Sequence, residues 1–318
     1  MNAPEISVLM PTYNYASFLP EAIESVLAQD FKDFELVIID DASSDNTAEV
    51  VQPFCARDAR IQFTVNPTNL GMVPNWNQSL QRARGRYIKF LFGDDKLTDP
   101  RALAKMMALL RNNPAAVLAT TARTILDESS NVVDIWRPLP EGCHNGRKMI
   151  ARCLIENDNL VGEPSSVLFR KADAQRGFDT SYRQLVDLEM WFHLLERGDL
   201  ICGREPLCAF RRHTAQQTAI NNATYSIKEQ LMLVSAYGAK AWIPPRQRRD
   251  ILYRARRGLR RDPGARTQFL ELERQYASGD GPPEYFAAGL KYAFVRPLEN
   301  LKRSWQKRRS SRPSNKKM

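Results

Sequence analysis

Short apolar runs alternate with longer polar stretches along the first hundred residues, and within the polar stretches apolar side chains recur every three or four positions. Residues 6–10 (ISVLM) predict a buried strand. The segment PTYNYASFLPE then punctuates the chain, and Ile23, Val26 and Leu27 fall on one face of a helix. FELVIIDDAS predicts a second strand that closes on Asp40 and Asp41, with Ser43 or Ser44 placed to cap a helix over residues 47–54. A third strand is expected at 61–65, a helix at 75–84 and a fourth strand at 87–92. Downstream the pattern predicts a helix at 100–112, a strand at 116–125 and an extended excursion through NVVDIWRPLPEG. A helix at 147–155 follows, then the strand SSVLFRK, a helix at 187–197 and a last strand at 207–211.

Alternating strands and helices of this kind predict an α/β fold with a mostly parallel sheet flanked by helices. Active sites in such sheets lie beyond the carboxyl ends of the strands, where Asp40, Asp41, Asp94 and Asp95 fall. The stretch IKFLFGDDKLTDP is the sharpest case, because an apolar run ends in two adjacent carboxylates. Burying them is costly without donors or a cation. The pair either caps the following segment or holds a metal.

A dinucleotide site would need GxGxxG after the first strand, yet the first glycine is Gly71, and no GxxxxGK[ST] loop is present. The first turn is instead PTYN. Tyr13 can stack on a flat base, Asp41 can accept from an imide N–H, Asp40 or Asp94 can reach a ribose, and Asp95 can hold a divalent cation across a diphosphate. Packing for Tyr13, and turn or cap roles for the aspartates, are the competing readings.

At 318 residues, with 43% hydrophobic and 26% charged positions, the chain has enough length for a large core. The five cysteines form no CxxC pair, which predicts reduced thiols in an intracellular protein. The N-terminus lacks the form of a secretory signal, and no apolar run reaches the roughly 18–20 residues of a membrane span. A cytoplasmic protein is expected, at most peripheral on the inner face of the cytoplasmic membrane. The formal charge of +10 is uneven: residues 302–318 hold eight basic side chains and no acidic one, and YRARRGLRRDPGAR is also basic. Such clusters attract anionic membranes or nucleic acid. No reader module for nucleic acid accompanies them, so the tail reads as a membrane-docking segment or a solvated, disordered end.

The segments SVLMPTYN, VIIDDASSDNT and NLGMVPNWNQSLQRARGRYIKFLFGDD together resemble the inverting family 2 glycosyltransferases, over about two thirds of the chain, residues 6–215. The resemblance implies a GT-A fold and a nucleotide-diphosphate sugar donor. It also implies Mn2+ or Mg2+ and a carbohydrate or lipid-linked acceptor in bacterial surface-glycan (polysaccharide or lipopolysaccharide) synthesis. It assigns Pro11, Tyr13 and Asp41 to the base and nucleoside, with Asp40 beside them and Asp94 near the ribose. Asn69, Gly71 and Asn75 fall in the loop beneath the donor, and Asp95 falls on the metal. UDP is favoured because Asp41 suits a pyrimidine imide. Many members carry an acid two places before Asp94, but Phe92 stands there, so a metal would rest mainly on Asp95.

LVDLEMWFHLL resembles the family segment that carries the general base, which implies that role for Asp187. Glu189 competes, although two residues apart on a helix the two carboxylates point in different directions. Trp191 is expected in the core or as an acceptor wall. Glu163, Pro164 and Ser165 of GEPSSVLFRK either line the acceptor pocket or form a simple turn. His213, in AFRRHTAQQ, resembles a segment that closes the donor site and completes the metal shell, whereas His144 and His193 lack such context. No QxxRW motif is present, which favours a single transfer over processive synthesis. The implied organisation is a catalytic domain over 1–217, a helical extension over 218–300 and a basic tail over 301–318. The rival class is a noncatalytic scaffold of transferase-like fold that binds nucleic acid or membrane.

Overall fold

The computed structural model describes residues 3–214, 216 and 226–258. The basic tail, the membrane docking expected of it and most of YRARRGLRRDPGAR lie outside the described residues. The chain divides into two compact units, Met1–Leu233 and Val234–Met318.

In the first unit the strands β1 (Ile6–Thr12) and β2 (Phe34–Asp40) are buried at every position. This is why they read as continuous apolar runs, since strands at the centre of a sheet covered on both faces need no polar alternation. They pair in parallel with each other, with β3 (Ile61–Val65) outside β2 and β4 (Tyr87–Phe90) on the far side of β1. The order continues through β9 (Val167–Arg170), β6 (Ala116–Leu126), β10 (Asp199–Arg211) and β5 (Lys96–Leu97). Here the sheet is mixed: β9 runs antiparallel to both β4 and β6, β10 runs parallel to β6, and β5 antiparallel to β10. Two short strands complete it, β7 (Val132–Trp136) on β6 and β8 (Gly142–His144) on β10.

The helices α1 (Leu19–Leu27), α2 (Thr47–Arg57), α3 (Met72–Arg82), α4 (Ala102–Asn112), α5 (Gly146–Glu156) and α6 (Val186–Leu195) follow the predicted segments, with ends displaced by a few residues. Neither Ser43 nor Ser44 caps α2; Asp45 does, accepting from the Thr47 backbone N–H at 3.1 Å and hydroxyl at 2.6 Å. The fourth strand stops at Phe90, two residues earlier than expected, because the chain turns through Gly93 to form β5. Pro11 sits inside β1 without cost to the sheet, since pairing with β4 has ended at Leu9 and a proline there removes no ladder bond on that side. A helix α7 (Ser226–Leu233) closes the first unit. In the second unit a π-helical turn (Val234–Gly238) precedes α8 (Pro245–Gly258).

Candidate active site

The turns after β1, β2 and β3 are laced together at the carboxyl edge of the sheet. Asn14 N–H donates to Ser43 Oγ at 2.8 Å, and Asn14 Oδ1 accepts from Ser44 N–H at 2.8 Å. Asp41 accepts from Asn66 Nδ2 (2.8 Å), Leu70 N (2.9 Å) and Gly71 N (2.8 Å). Its two oxygens thus already hold three donors, and its visible work is to fix the loop before α3. Asn69 Oδ1 accepts from Gly71 N at 3.0 Å; buried Asn75 donates to Ile39 O at 3.2 Å and accepts from Asn66 at 3.3 Å. Gly71 has φ +88°, which favours glycine, and nothing lies within 4 Å of where a Cβ would be. Asp40 accepts from Ser43, while one of its oxygens has only a 3.4 Å contact. Burial raises its pKa against the Ser43 hydrogen bonds. Tyr13 is 46% exposed, its ring open to solvent beside these turns.

The Gly93–Asp95 turn is seated on β1 and α1. A Cβ at Gly93 would meet Leu19 at 3.0 Å and the Thr12 hydroxyl at 3.2 Å, so glycine permits the close approach. Asp94 accepts from the Tyr15 hydroxyl and lies 3.1 Å from His213 Nε2. Burial and the charges of Asp94 and Asp95 push the Tyr15 hydroxyl far above its ordinary pKa. Tyr15 and Phe18 in turn pack on the His213 ring at 5.7 and 5.0 Å. Asp95 Oδ1 accepts from Arg211 N at 3.0 Å, but its Oδ2 is buried with no hydrogen-bond partner. Burial, then the neighbouring charge of Asp94, raises the Asp95 pKa well above the carboxylate range. Arg211 is the clamp: its guanidinium donates to Asp94 O (2.8 Å), Ser130 Oγ (2.7 Å) and Glu21 (2.5 Å).

Beneath the pair lies Lys89, fully buried, with its ammonium on the Ser165 carbonyl. Burial lowers its pKa to about 8 against the pull of Asp95. Phe92, two places before Asp94, stacks on Trp76 at 4.9 Å and joins a cluster with Phe90 and Phe178.

Asp187 lies in the first turn of α6. Asn159 Nδ2 donates to its Oδ2 at 2.9 Å and the Leu188 N–H to its Oδ1 at 2.8 Å. Burial lifts its pKa to about 7; Glu163 adds to the rise, and the Leu188 N–H and Arg123 oppose it. Glu189 faces elsewhere, held by Arg176 at 2.5 and 2.9 Å. Trp191 is core, with its indole N–H on the Gly162 carbonyl at 2.9 Å. Pro164 and Ser165 are buried within a 3-10 turn, and only Glu163 of that trio keeps partial exposure. The charge of Glu163 is felt by both Asp95 and Asp187, so the turn lies near both carboxylate centres. His144 Nε2 meets the Pro140 carbonyl, away from this group.

The model for glycosyl transferase family 2 matches residues 7–176, more than half of the chain. The protein belongs to that family. A putative glycosyltransferase EpsE of Bacillus subtilis is 37% identical over 251 residues, 74% of this chain and 82% of that one. A Campylobacter jejuni GalNAc(5)-diNAcBac-PP-undecaprenol β-1,3-glucosyltransferase is 43% identical over 96 residues, 30% of this chain and 31% of that one. Among solved structures, Staphylococcus aureus TarS 1-349 with UDP-GlcNAc superposes at TM-score 0.62 with 17% identity, covering 89% of this chain and 79% of that one. The Pyrobaculum calidifontis mannosyltransferase PcManGT with GDP-Man and Mn2+ superposes at 0.59, also at 17% identity, covering 96% and 84%. The superpositions establish a GT-A-like fold. Asp187 falls beyond the segment matched by the family model.

Sequence reasoning missed Tyr15, Lys89, Asn159 and Arg211 as parts of this site. Lys89 did leave a signal, one charge inside the apolar run IKFLF. Nothing in the sequence pairs Asn159 with Asp187.

Proposed function

We propose that this glycosyltransferase moves a sugar from a nucleotide-diphosphate donor, UDP favoured, to a glycan or lipid-linked acceptor with inversion at the anomeric carbon. The observation that carries the reading is that two unlike carboxylate centres, Asp94–Asp95 and Asp187, both lie near Glu163 at the start of the 3-10 turn. Asp187, with its pKa near 7, is a carboxylate able to take a proton at neutral pH. It acts as the base for the acceptor hydroxyl, which attacks as the nucleoside diphosphate leaves from the opposite face.

Tyr13 stacks on the base, and the laced turns of Pro11, Asp40, Asp41, Asn69, Gly71 and Asn75 form the nucleoside seat. Asp40, whose second oxygen is the less committed, is the stronger candidate to touch the ligand; Asp41 and Asn75 hold the seat in shape. The orphaned, buried Oδ2 of Asp95 beside Asp94 fits a hard divalent cation such as Mn2+ or Mg2+. Among the described residues no three His, Cys, Asp or Glu side chains converge as a metal cage. Asp95 and Asp94 would hold the ion with the donor's own phosphate oxygens, and it would neutralise the leaving diphosphate. His213, against Asp94, sets that carboxylate's position and is a further candidate ligand. A lipid-linked acceptor is supported by the undecaprenol-linked substrate in the name of the Campylobacter relative.

The test is a thermal-shift panel of UDP-, dTDP-, GDP- and CMP-sugars with and without Mn2+, on the wild type and Asp95→Ala. One nucleotide that stabilises only with Mn2+, and fails on Asp95→Ala, supports the reading. No stabilisation by any donor at millimolar concentration overturns it.

A further inference from the structure

The helix carrying Asp187 is not capped by its own sequence. Leu185 occupies the N-cap position of α6 and offers no side-chain acceptor. The three residues leading into the helix turn their backbone N–H groups toward one carboxylate instead. Glu229 accepts from Arg183 N at 2.6 Å, Gln184 N at 2.8 Å and Leu185 N at 2.7 Å. It is 3% exposed and comes from α7, some 40 residues later and beyond the family match. Successive N–H groups converging in this way form a concave anion seat, and a carboxylate at a helix N-terminus is favoured by the helix dipole.

The neighbouring residue of α7 reaches the segment that carries Asn159. Gln230 Nε2 donates to Asn157 Oδ1. Asn157 lies two residues before Asn159, the amide that donates to Asp187. Adjacent side chains of one short helix therefore grip the chain two residues before Leu185 through to Leu185 itself, and two residues before Asn159. A buried carboxylate with all its donors in place resists movement, because any shift leaves a charged group unpaired.

We propose that α7 is a built-in splint for the catalytic base, with Glu229 as a positioning residue that fixes where Asp187 stands relative to the donor. The inference rests on Asp187 being the base. Glu229 touches neither substrate nor the reacting atoms; it acts through the run 183–185. This makes the segment after the family match part of the catalytic machinery.

The test compares Glu229→Ala, Glu229→Gln and Gln230→Ala in the full chain. Turnover is followed as release of nucleoside diphosphate from the sugar nucleotide selected by the thermal-shift panel, and binding of that nucleotide with Mn2+ is titrated separately. Glu229→Ala is expected to lower kcat by about 10- to 100-fold, the scale set by small displacements of a reacting group, with nucleotide affinity unchanged. Amide hydrogen exchange over 183–188 is expected to speed up in the same variant. Glu229→Gln, which keeps one acceptor oxygen, falls between, and Gln230→Ala shows a smaller loss in the same sense. Wild-type kcat in Glu229→Ala overturns the proposal, as does a parallel fall in kcat and nucleotide affinity. Where Glu229→Ala fails to fold, wild-type kcat in Glu229→Gln overturns it. Asp187→Asn in the same assay separates the two readings. An inactive Asp187→Asn beside a fully active Glu229→Ala sinks the splint alone, and an active Asp187→Asn sinks the base.

Discussion

Asn159 Nδ2 donates to Asp187 Oδ2 at 2.9 Å, and the same Asn159 holds the Gly162 backbone through its Oδ1 at 2.9 Å. One amide therefore fixes the proposed base and the start of the segment that carries Glu163. A hydrogen bond donated to the ionised form favours that form. Removing it in Asn159→Ala raises the Asp187 pKa, and the acidic limb of the kcat/KM profile moves to higher pH. A limb left in place would mean that Asp187 is oriented by other groups.

The base works deprotonated. With its pKa at about 7, kcat/KM rises with pH through that value and levels off above it. Asp187→Asn removes the limb and lowers kcat on the order of 10²–10⁴-fold, while nucleotide binding persists. A pH–rate profile of both proteins decides this.

The same shift predicts a stability effect of opposite sign. The folded carboxyl holds its proton up to about 7, whereas the unfolded one releases it near 3.8. Between those values the unfolded state binds fewer protons, so the contribution of this group to stability falls as pH rises. At pH 8 Asp187→Asn should be more stable than the wild type, by up to about 4 kcal/mol at 1.36 kcal/mol per pKa unit. Near pH 4 the difference should vanish. Denaturant melts at the two pH values check it; equal stabilities at pH 8 would show that the site relaxes to accommodate the charge.

The strands β1, β2 and β4, and the two pairs of aspartates that follow β2 and β4, were legible because continuous apolar runs and strand-end charges are local signals. The family resemblance supplied the expectation of a metal-binding role for Asp95 and a base role for Asp187, which no spacing could give. What stayed hidden is tertiary. That β9 reverses direction between β4 and β6 depends on long crossovers. The first half of β10, DLICGREP, was missed because its charges and glycine mask a strand whose apolar core is only LIC. Glu189 and Asp187 look alike in sequence. They separate only when Arg176 is seen to bind the one and Asn159 the other.

That separation gives a contrast between two neighbouring carboxylates. Glu189→Gln breaks a bidentate ion pair between buried Glu189 and exposed Arg176 and should lower stability by about 1 kcal/mol, since the solvent-exposed guanidinium screens the pair. Its kcat should stay within a small factor of the wild type. Paired melts and turnover assays test this; a large loss of kcat in Glu189→Gln with unchanged stability would move the base to Glu189.

Lys89 makes the last case, because a fully buried ammonium is expensive unless its surroundings need it. Its donation to the Ser165 carbonyl ties β4 to the turn of Glu163, and its ammonium lies close enough to Asp95 to feel that carboxyl's charge. Lys89→Met keeps the volume but leaves the Ser165 carbonyl without a donor and removes the ammonium charge near Asp95. A loss of about 1–3 kcal/mol is expected, the cost of a buried acceptor left unsatisfied. Mn2+ should then restore more stability to Lys89→Met than it adds to the wild type, since a bound cation replaces the missing charge beside Asp95. Melting curves of both proteins with nucleotide, with and without Mn2+, read this directly. Equal Mn2+ increments in the two proteins would show that Lys89 supports the turn alone and leaves the carboxylate pair untouched.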